Sequence, residues 1–332
     1  MNTPKRIFVL YTGGTIGMSQ SADGLRPDTA LVGKALAPFA DRFHFEWHVC
    51  QPLIDSSAVT LHNWQQWLEL ITERLPQYDG ILILHGTDTM AYTANLLALA
   101  LRHLNKPIVL TGSQWPYDAD GSDAPLNLET AVAAFTLDNL RKVVIAFNGK
   151  LFPAIGSSKV STETAAGFAN LHRGALAEWN GTTWQPSPNW QPAEPDNSQA
   201  LEALPLSTEA DVAVCTLIPG QMLAHTARTL RDTTARALIL QSYGHGNAPS
   251  DAEFIAAVAA YTQRGGLLLN ISQVAQGCAA AVYAQGSALR QAGAVSGGKC
   301  NLETATALLT LAVSQNATAD QLAQHLNALG LA

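Results

Sequence analysis

Two turns of the chain place threonines where their hydroxyls could act in chemistry. Thr15 follows two adjacent glycines, and Thr87 is followed directly by Asp88. A threonine hydroxyl is a weak nucleophile until a base takes its proton, and a lysine that a carboxylate orients can be that base. Thr87, Asp88 and Lys159 could form such a triad. The alternative is that Lys159 is an ordinary surface lysine, as most lysines are.

The Thr87 turn lies between a predicted strand and a predicted helix. Residues 80–84 read Gly-Ile-Leu-Ile-Leu, and this apolar run predicts a strand buried on both faces, with a helix beginning after Thr89. Open α/β sheets bind ligands at the carboxyl ends of such strands, and a helix N-terminus offers free N–H groups to a carboxylate or an oxyanion. The alternative is that Asp88 and Thr89 only cap the helix.

Polar residues are also predicted at the ends of other extended runs. Apolar segments at 6–11, 108–110 and 237–243 each precede a glycine-containing turn. The glycines around Thr15 match neither GxGxxG nor GxxxxGK[ST], and no lysine accompanies them, so the pattern disfavours nucleotide binding. The remaining polar candidates are three serines and one asparagine: Ser56, Ser57, Ser113 and Asn247. Ser56 and Ser57 are predicted at the end of another extended run, which contains the apolar residues 53 and 54.

Length and alternation predict the fold. A chain of 332 residues with 47% apolar residues exceeds the usual size of one hydrophobic core. Strands alternating with helices predict the α/β class with two α/β domains: a larger N-terminal domain with a mostly parallel sheet flanked by helices, and a smaller C-terminal parallel-sheet domain. The segment rich in Pro, Asn, Glu and Gln predicts a linker at 186–208, between domains at 1–185 and 209–332.

Composition also bears on partners and location. The net charge of -7 and the lack of Lys/Arg clusters argue against nucleic-acid binding. No run of about 18 apolar residues predicts a membrane span, and the N-terminus lacks the pattern of a signal peptide, so we expect a cytoplasmic protein. The four cysteines show no CxxC spacing, and no metal site is predicted. Only 14% of residues are charged, which favours subunit interfaces.

Two longer motifs give the chain a family resemblance. Residues 12–17, Thr-Gly-Gly-Thr-Ile-Gly, and residues 85–90, His-Gly-Thr-Asp-Thr-Met, resemble the two signatures of the bacterial-type L-asparaginase family. Because no signal peptide is seen, the chain looks like the cytoplasmic type I branch. The likeness covers essentially the whole chain through further stretches at residues 55–57, 111–114, 159 and 243–247.

The resemblance implies an activity and roles for the first four candidates. The reaction would be hydrolysis of L-asparagine to L-aspartate and ammonia without a cofactor. Thr15 would attack the side-chain amide and form an acyl-enzyme, while Thr87, with Lys159 and Asp88, would relay protons and activate water. Some accounts of such enzymes exchange the duties of the two threonines, and the sequence leaves that order open.

The resemblance also implies how the substrate is held. Asp88 and Ser57 would bind its α-amino and α-carboxylate groups, with Ser56 nearby and Ser113 also assigned to substrate binding. Asn247 would reach the site from a neighbouring subunit, so we expect a homo-oligomer, either a dimer or a tetramer.

Two departures from the family pattern affect these expectations. The loop at 19–28, interpreted as a mobile lid or a plain connection, carries Leu25 where the family usually has a tyrosine that contacts the nucleophile. We expect activity that survives but is weaker or differently tuned. Residues 272–274 read Ser-Gln-Val, without the cysteine that some type I enzymes use in an extra asparagine site, so allosteric activation is not expected.

Two other functions stay open at this stage. One is a glutaminase-asparaginase of broader specificity, because one methylene is worth only about 1–3 kcal/mol of discrimination. The other is a non-catalytic amino-acid-binding protein that uses the same pocket. A non-catalytic binding protein would release no ammonia, whereas an asparaginase or a glutaminase-asparaginase would.

Overall fold

The computed structural model describes residues 3–21, 24–27, 29–188, 190–192, 199–280 and 284–332. The chain divides into two units, Met1–Leu204 and Pro205–Ala332. The domain bounds 1–185 and 209–332 and the linker 186–208 stay predictions, and residues 189 and 193–198 of that linker lie outside the described residues.

The first unit contains strands and helices in close alternation. Its strands are β1 (Lys5–Tyr11), β2 (Met18–Ser21), β3 (Gly24–Pro27), β4 (Phe43–Val49), β5 (Gly80–Leu84), β6 (Leu101–Arg102), β7 (Ile108–Thr111), β8 (Val143–Phe147), β9 (Lys150–Pro153), β10 (Ser157–Lys159), β11 (Phe168–Asn170), β12 (Ala177–Trp179), β13 (Trp184–Pro186) and β14 (Glu202–Ala203). Its α-helices are α1 (Thr29–Leu36), α2 (Leu61–Arg74), α3 (Thr87–Ala100) and α4 (Ala124–Ala134).

Among the described residues of this unit, one eight-stranded sheet dominates, in the order β13-β12-β9-β8-β7-β5-β1-β4. Five neighbouring strands are parallel: β4, β1, β5, β7 and β8. The other three, β9, β12 and β13, are joined by antiparallel pairing. All five residues of β5 are buried, as the apolar run predicts. The prediction of a mostly parallel sheet is confirmed. Strands β12 and β13 pair as an antiparallel hairpin.

The register of the sheet brings three turns to one edge. Tyr11 pairs with Leu84 across β1 and β5, and Leu84 pairs with Thr111 across β5 and β7. Because these strands run parallel, the chain leaves all three at the same edge. The segments that follow therefore have neighbouring starting points, and they contain the candidate residues Thr15, Thr87 and Ser113.

Helix α2 buries an apolar face within the first unit. Thr60 caps its N-terminus in a capping box with Asn63. The helix buries two tryptophans, Trp64 and Trp67, together with Leu68 and Ile71. One of these tryptophans, Trp64, reaches the first turns of α3, as described below.

The second unit is a smaller α/β fold. Its strands are β15 (Val212–Thr216), β16 (Ala237–Ser242), β17 (Leu267–Ser272) and β18 (Val295–Ser296), and its helices are α5 (Met222–Asp232), α6 (Ala252–Gln263), α7 (Ala284–Gln291), α8 (Leu302–Ser314) and α9 (Ala319–Ala328). The four strands form a parallel sheet in chain order, which confirms the predicted parallel sheet. In the described parts of both units, no helix combines the length and apolar character needed to cross a membrane.

Candidate active site

The turns that carry Thr15 and Thr87 touch through glycine backbones. Gly14 has φ 98°, and a Cβ added to it would lie 2.5 Å from the Gly86 nitrogen and 2.6 Å from the Gly86 Cα. Such a contact excludes any side chain at Gly14, and its positive φ suits glycine in any case. Glycine at position 14 therefore allows the first threonine turn to pack directly against the second.

Thr15 begins a short 3₁₀ helix, Thr15–Gly17, immediately after β1 and the two glycines. Its side chain is half-buried, whereas Ile16 beside it is buried in the core. The buried isoleucine anchors the turn, and the threonine remains partly accessible. This placement agrees with the prediction of a threonine just beyond the end of the strand.

Thr87, Asp88 and Lys159 are brought together by a long-range contact. Lys159 Nζ donates to Thr87 Oγ1 at 2.8 Å and to Asp88 Oδ1 at 2.7 Å. The lysine side chain is 15% exposed and the aspartate side chain is 60% exposed. The predicted triad geometry is therefore present, and the alternative that Lys159 is an ordinary surface lysine is wrong.

Helix α3 holds both sides of this contact. Thr87 is its first residue, and Asn95, two turns later, bonds the start of β10, the strand that ends in Lys159. The Asn95 Oδ1 accepts from the Gly156 N–H at 3.2 Å, and its Nδ2 donates to the Ser157 carbonyl at 3.4 Å. One helix thus positions the threonine directly and the lysine through a fully buried asparagine.

The interpretation of Asp88 and Thr89 as caps is wrong. Helix α3 begins at Thr87 rather than after Thr89, and its N-cap, Gly86, receives no side-chain cap bond. Thr89 Oγ1 donates to the Ser56 carbonyl at 2.7 Å. The N–H groups of the first turn of α3 therefore have no side-chain cap, and such groups can stabilise an oxyanion.

Ser56 and Ser57 do not end a strand, contrary to the prediction. They begin the 3₁₀ helix Ser56–Ala58, which Asp55 caps. The Ser57 N–H and hydroxyl both donate to Asp55 Oδ1 at 2.9 Å, and these bonds lower the pKa of the Asp55 carboxyl. The capped turn competes successfully with an extended conformation because its carboxylate satisfies two donors.

Ser56 lies next to the Thr87 turn. A Cβ added to Gly86 would lie 2.5 Å from Ser56 Oγ, and Ser56 itself is buried. Ser57 is exposed. The two serines therefore differ in access: one is packed under the turn, and the other faces solvent beside it.

Ser113 and Asn247 are less closely tied to the threonines. Ser113 Oγ donates to the Trp115 carbonyl at 2.5 Å, within the turn after β7, so its hydroxyl stabilises its own loop. Asn247 lies in the second unit after β16. Its Oδ1 is buried and has no hydrogen-bond partner among the residues that the structure describes. The substrate-binding assignments of both residues stay predictions.

The loop predicted at 19–28 contains an antiparallel pair of strands, β2 and β3. Backbone pairing places Gln20 opposite Leu25. The Leu25 side chain and residues 22, 23 and 28 lie outside the described part of the structure. The tuning of activity by Leu25 therefore stays a prediction.

His85 is a buried residue at the centre of the site whose bonding the sequence did not predict. Its ring is 1% exposed, and its Nδ1 lies 2.7 Å from the Gly86 carbonyl. Burial lowers the pKa of His85 from 6.5 to about 4, although the bond to Gly86 acts in the opposite direction. The imidazole is therefore neutral at pH 7.

Acid should destabilise the first unit through His85. The unfolded chain protonates this histidine near pH 6.5 and the folded chain only near pH 4, so the unfolded state binds an extra proton between these values. The free energy of unfolding should therefore fall by about 3 kcal/mol on this account as the pH falls from about 6.5 to about 4. Urea unfolding at several pH values measures it.

His85→Gln and His44→Gln provide the comparison for this acid effect. His44 is exposed, so its variant should keep the pH dependence of the wild type. In the His85 variant, the free energy of unfolding should fall less steeply between about pH 6.5 and pH 4. The carboxylates contribute equally to all three proteins. Equal slopes for all three would contradict the assignment.

The described residues contain no group of three or more His, Cys, Asp or Glu side chains that could hold a metal ion. The turns described above supply several reactive groups of their own. These are two threonine hydroxyls, an amine bonded to one of them, a carboxylate and free helix N–H groups. Such a set suits acyl transfer to a hydroxyl followed by hydrolysis.

Comparison with known proteins gives matches along most of the chain. The family models "Asparaginase, N-terminal" and "Glutaminase/Asparaginase C-terminal domain" match residues 6–192 and 211–326. L-asparaginase 1 of Escherichia coli strain K12 is 34% identical over 318 residues, which are 94% of this chain and 92% of that protein.

Two solved structures are similar in fold over nearly their whole length. L-asparaginase I from Vibrio cholerae superposes with a TM-score of 0.85 at 32% identity and covers 97% of each chain. A Campylobacter jejuni protein, described as a probable cytoplasmic L-asparaginase, has a TM-score of 0.79 at 25% identity, over 96% of this chain and 98% of that one.

Proposed function

The chain belongs to the asparaginase family, and we propose that it hydrolyses L-asparagine to L-aspartate and ammonia through a threonine acyl-enzyme. The observation that carries this proposal is the contact of Lys159 Nζ with Thr87 Oγ1 and Asp88 Oδ1. An amine bonded to a hydroxyl can accept its proton when neutral and return it when charged.

In the first step, the Thr15 oxygen forms a bond to the side-chain amide carbon, and the carbonyl electrons move onto oxygen. N–H groups at the two turns stabilise this oxyanion. The C–N bond then breaks, and the nitrogen takes up the proton released by Thr15 and leaves as ammonia. The product of this step is a β-aspartyl ester of Thr15.

In the second step, water attacks the ester carbon. Thr87 and Lys159 take the water's proton, and the carbonyl again becomes an oxyanion. The ester C–O bond breaks, the proton passes to the Thr15 oxygen, and aspartate leaves. The contact between Lys159 and Thr87 supports this assignment. In the reverse order, Thr87 would be the nucleophile. Acid quenching during turnover, followed by identification of the threonine that carries the ester, distinguishes the two orders.

Charge and access support the substrate roles proposed for the first unit. Asp88 is an exposed carboxylate beside the Thr87 hydroxyl, so it can pair with the α-amino group of an amino acid. Ser57 is exposed, and its hydroxyl can rotate from Asp55 to donate to the α-carboxylate. Ser56 packs against the Thr87 turn. Ser113 of the same unit and Asn247 of a neighbouring subunit are the remaining proposed substrate contacts.

The experiment that tests the function is product formation by the purified chain. We expect ammonia and aspartate in equal amounts from L-asparagine, and a lower kcat/KM for L-glutamine would separate an asparaginase from an enzyme of broader specificity. Tight binding of aspartate or asparagine without ammonia release would overturn the proposal and favour the non-catalytic alternative.

We also propose a cytoplasmic homo-oligomer, a dimer or a tetramer. The similarity to the C. jejuni protein supports the location. The low content of charged residues supports subunit interfaces. Light scattering of the purified protein measures the assembly.

A further inference from the structure

A buried chain of hydrogen bonds runs from helix α2 to the peptide that precedes Thr87. Trp64 Nε1 donates to Thr93 Oγ1 at 2.9 Å. Thr93 Oγ1 lies 2.9 Å from His85 Nε2, and His85 Nδ1 lies 2.7 Å from the Gly86 carbonyl oxygen. Three side chains and one backbone carbonyl are thus linked in series behind the proposed site.

The chemistry at the two ends fixes the direction of every bond. An indole N–H can only donate and a carbonyl oxygen can only accept. His85 must therefore carry its proton on Nδ1 and donate it to Gly86, and its Nε2 must accept the Thr93 proton. Thr93 in turn accepts from Trp64, so the threonine hydroxyl and the Gly86 carbonyl together select the imidazole tautomer.

The surroundings hold the imidazole in this state. Thr93 is fully buried and Trp64 is 7% exposed. The Trp67 ring meets the His85 ring edge-on, with centroids 5.5 Å apart, so rotation of the imidazole would disturb the packing of α2. No water-filled space is needed to satisfy the ring, because both nitrogens are bonded.

This series of hydrogen bonds ends at the peptide between Gly86 and Thr87, where α3 begins. In a planar trans peptide, the C=O and the following N–H point in opposite directions. Holding the Gly86 carbonyl toward His85 therefore turns the Thr87 N–H away from the buried side. This N–H is the first of α3 and has no side-chain cap, so it is a donor suited to an oxyanion.

We propose that Trp64, Thr93 and His85 set the orientation of the Gly86–Thr87 peptide, so that the Thr87 N–H and hydroxyl meet the reacting amide. The inference rests on the proposed amide hydrolysis and adds positioning residues to it. None of the three needs to touch the substrate. Their effect should therefore appear in kcat, through the transition state, more than in KM.

Thr93→Val tests the chain with a nearly isosteric change. It removes one of the two groups that select the tautomer, and we expect kcat for L-asparagine to fall about 10- to 100-fold with KM changed less than about threefold. Thr93→Ser keeps the hydroxyl and should retain kcat within about threefold of wild type. Thermal melting of all variants reports whether they fold.

A second pair of variants tests the bond to Gly86. The side-chain amide of His85→Asn can still donate near the former Nδ1 position, whereas His85→Leu cannot donate. We expect the asparagine variant to recover most of the kcat that the leucine variant loses. In ¹⁵N NMR of the wild type, the His85 Nδ1 should carry the proton, and Thr93→Val should reduce the population of that tautomer.

The outcomes separate this inference from the function on which it rests. If the wild type releases no ammonia, the proposed function fails and the inference falls with it. If the wild type is active and Thr93→Val has an unchanged kcat and only a lower melting temperature, the residues are structural and the inference alone is overturned. A loss of kcat in Thr93→Val that Thr93→Ser does not share supports it.

Discussion

Thr15→Ala should lower kcat for L-asparagine at least about 1,000-fold while leaving asparagine binding nearly unchanged. Removal of the nucleophile of a covalent mechanism typically costs that much, because only binding and oxyanion stabilisation remain. The half-buried Thr15 lies in a turn held by Gly14 against Gly86, so loss of one hydroxyl leaves the backbone that shapes the site in place. Ammonia release gives kcat, and calorimetric titration gives the affinity.

A nearby threonine provides the matched control for this prediction. Thr12 belongs to the same turn, but its hydroxyl is buried and donates to the Leu84 carbonyl at 3.0 Å. Thr12→Val should lower stability and keep kcat within about tenfold, because its hydroxyl is committed to the backbone. Thr15→Ser should keep measurable activity. If Thr15→Ala retained kcat within tenfold, Thr15 could not be the nucleophile, and the reverse order of the threonines would gain support.

Lys159→Met should lower kcat by about 100- to 10,000-fold, since proton transfer by a positioned group contributes on that order. Methionine preserves the length and apolar stem of the side chain but removes the donor to Thr87 and Asp88. Most of the Asp88 carboxylate is exposed, so water can solvate it once its partner is lost. The effect on stability should therefore be small compared with the effect on rate.

The kinetics of this variant also test the step that Lys159 serves. If Lys159 helps to activate water, the variant should release one ammonia per site rapidly and then stall as an acyl-enzyme, which intact mass detects. Lys150→Met is the control, because Lys150 forms an exposed ion pair with Glu178 and such pairs contribute little. Its kcat should equal that of wild type. A Lys159→Met enzyme with kcat within tenfold of wild type would exclude the proposed relay.

The parallel core of the fold could be predicted because its signals are local. The apolar run of β5 and the capping box of α2 each depend on a few neighbouring residues. The meeting of the Thr15 and Thr87 turns follows from one further rule, that parallel strands end at a common edge. Sequence reasoning therefore found the correct sheet edge and two of its threonines.

The remaining features depend on distant partners. Nothing near Lys159 indicates that it lies beside Asp88, 71 residues earlier. The chemistry of the side chains and the family resemblance both favour a triad, but neither gives the distance between its members. The apolar residues 53 and 54 predict an extended run that ends at Ser56, whereas the Asp55 cap favours a 3₁₀ turn. His85 was visible as a polar residue, but its tautomer depends on Thr93 and Trp64, which carry no chemical signal by themselves.

The attachment of the β10–β11 hairpin to α3 through Asn95 has a mechanical consequence. Helix α3 contains Thr87, and its Asn95 amide bonds the start of β10, the strand that ends in Lys159. We therefore expect a displacement of this helix to move donor and acceptor together. The distance between Lys159 Nζ and Thr87 Oγ1 is thus set by the bonds between α3 and the start of β10.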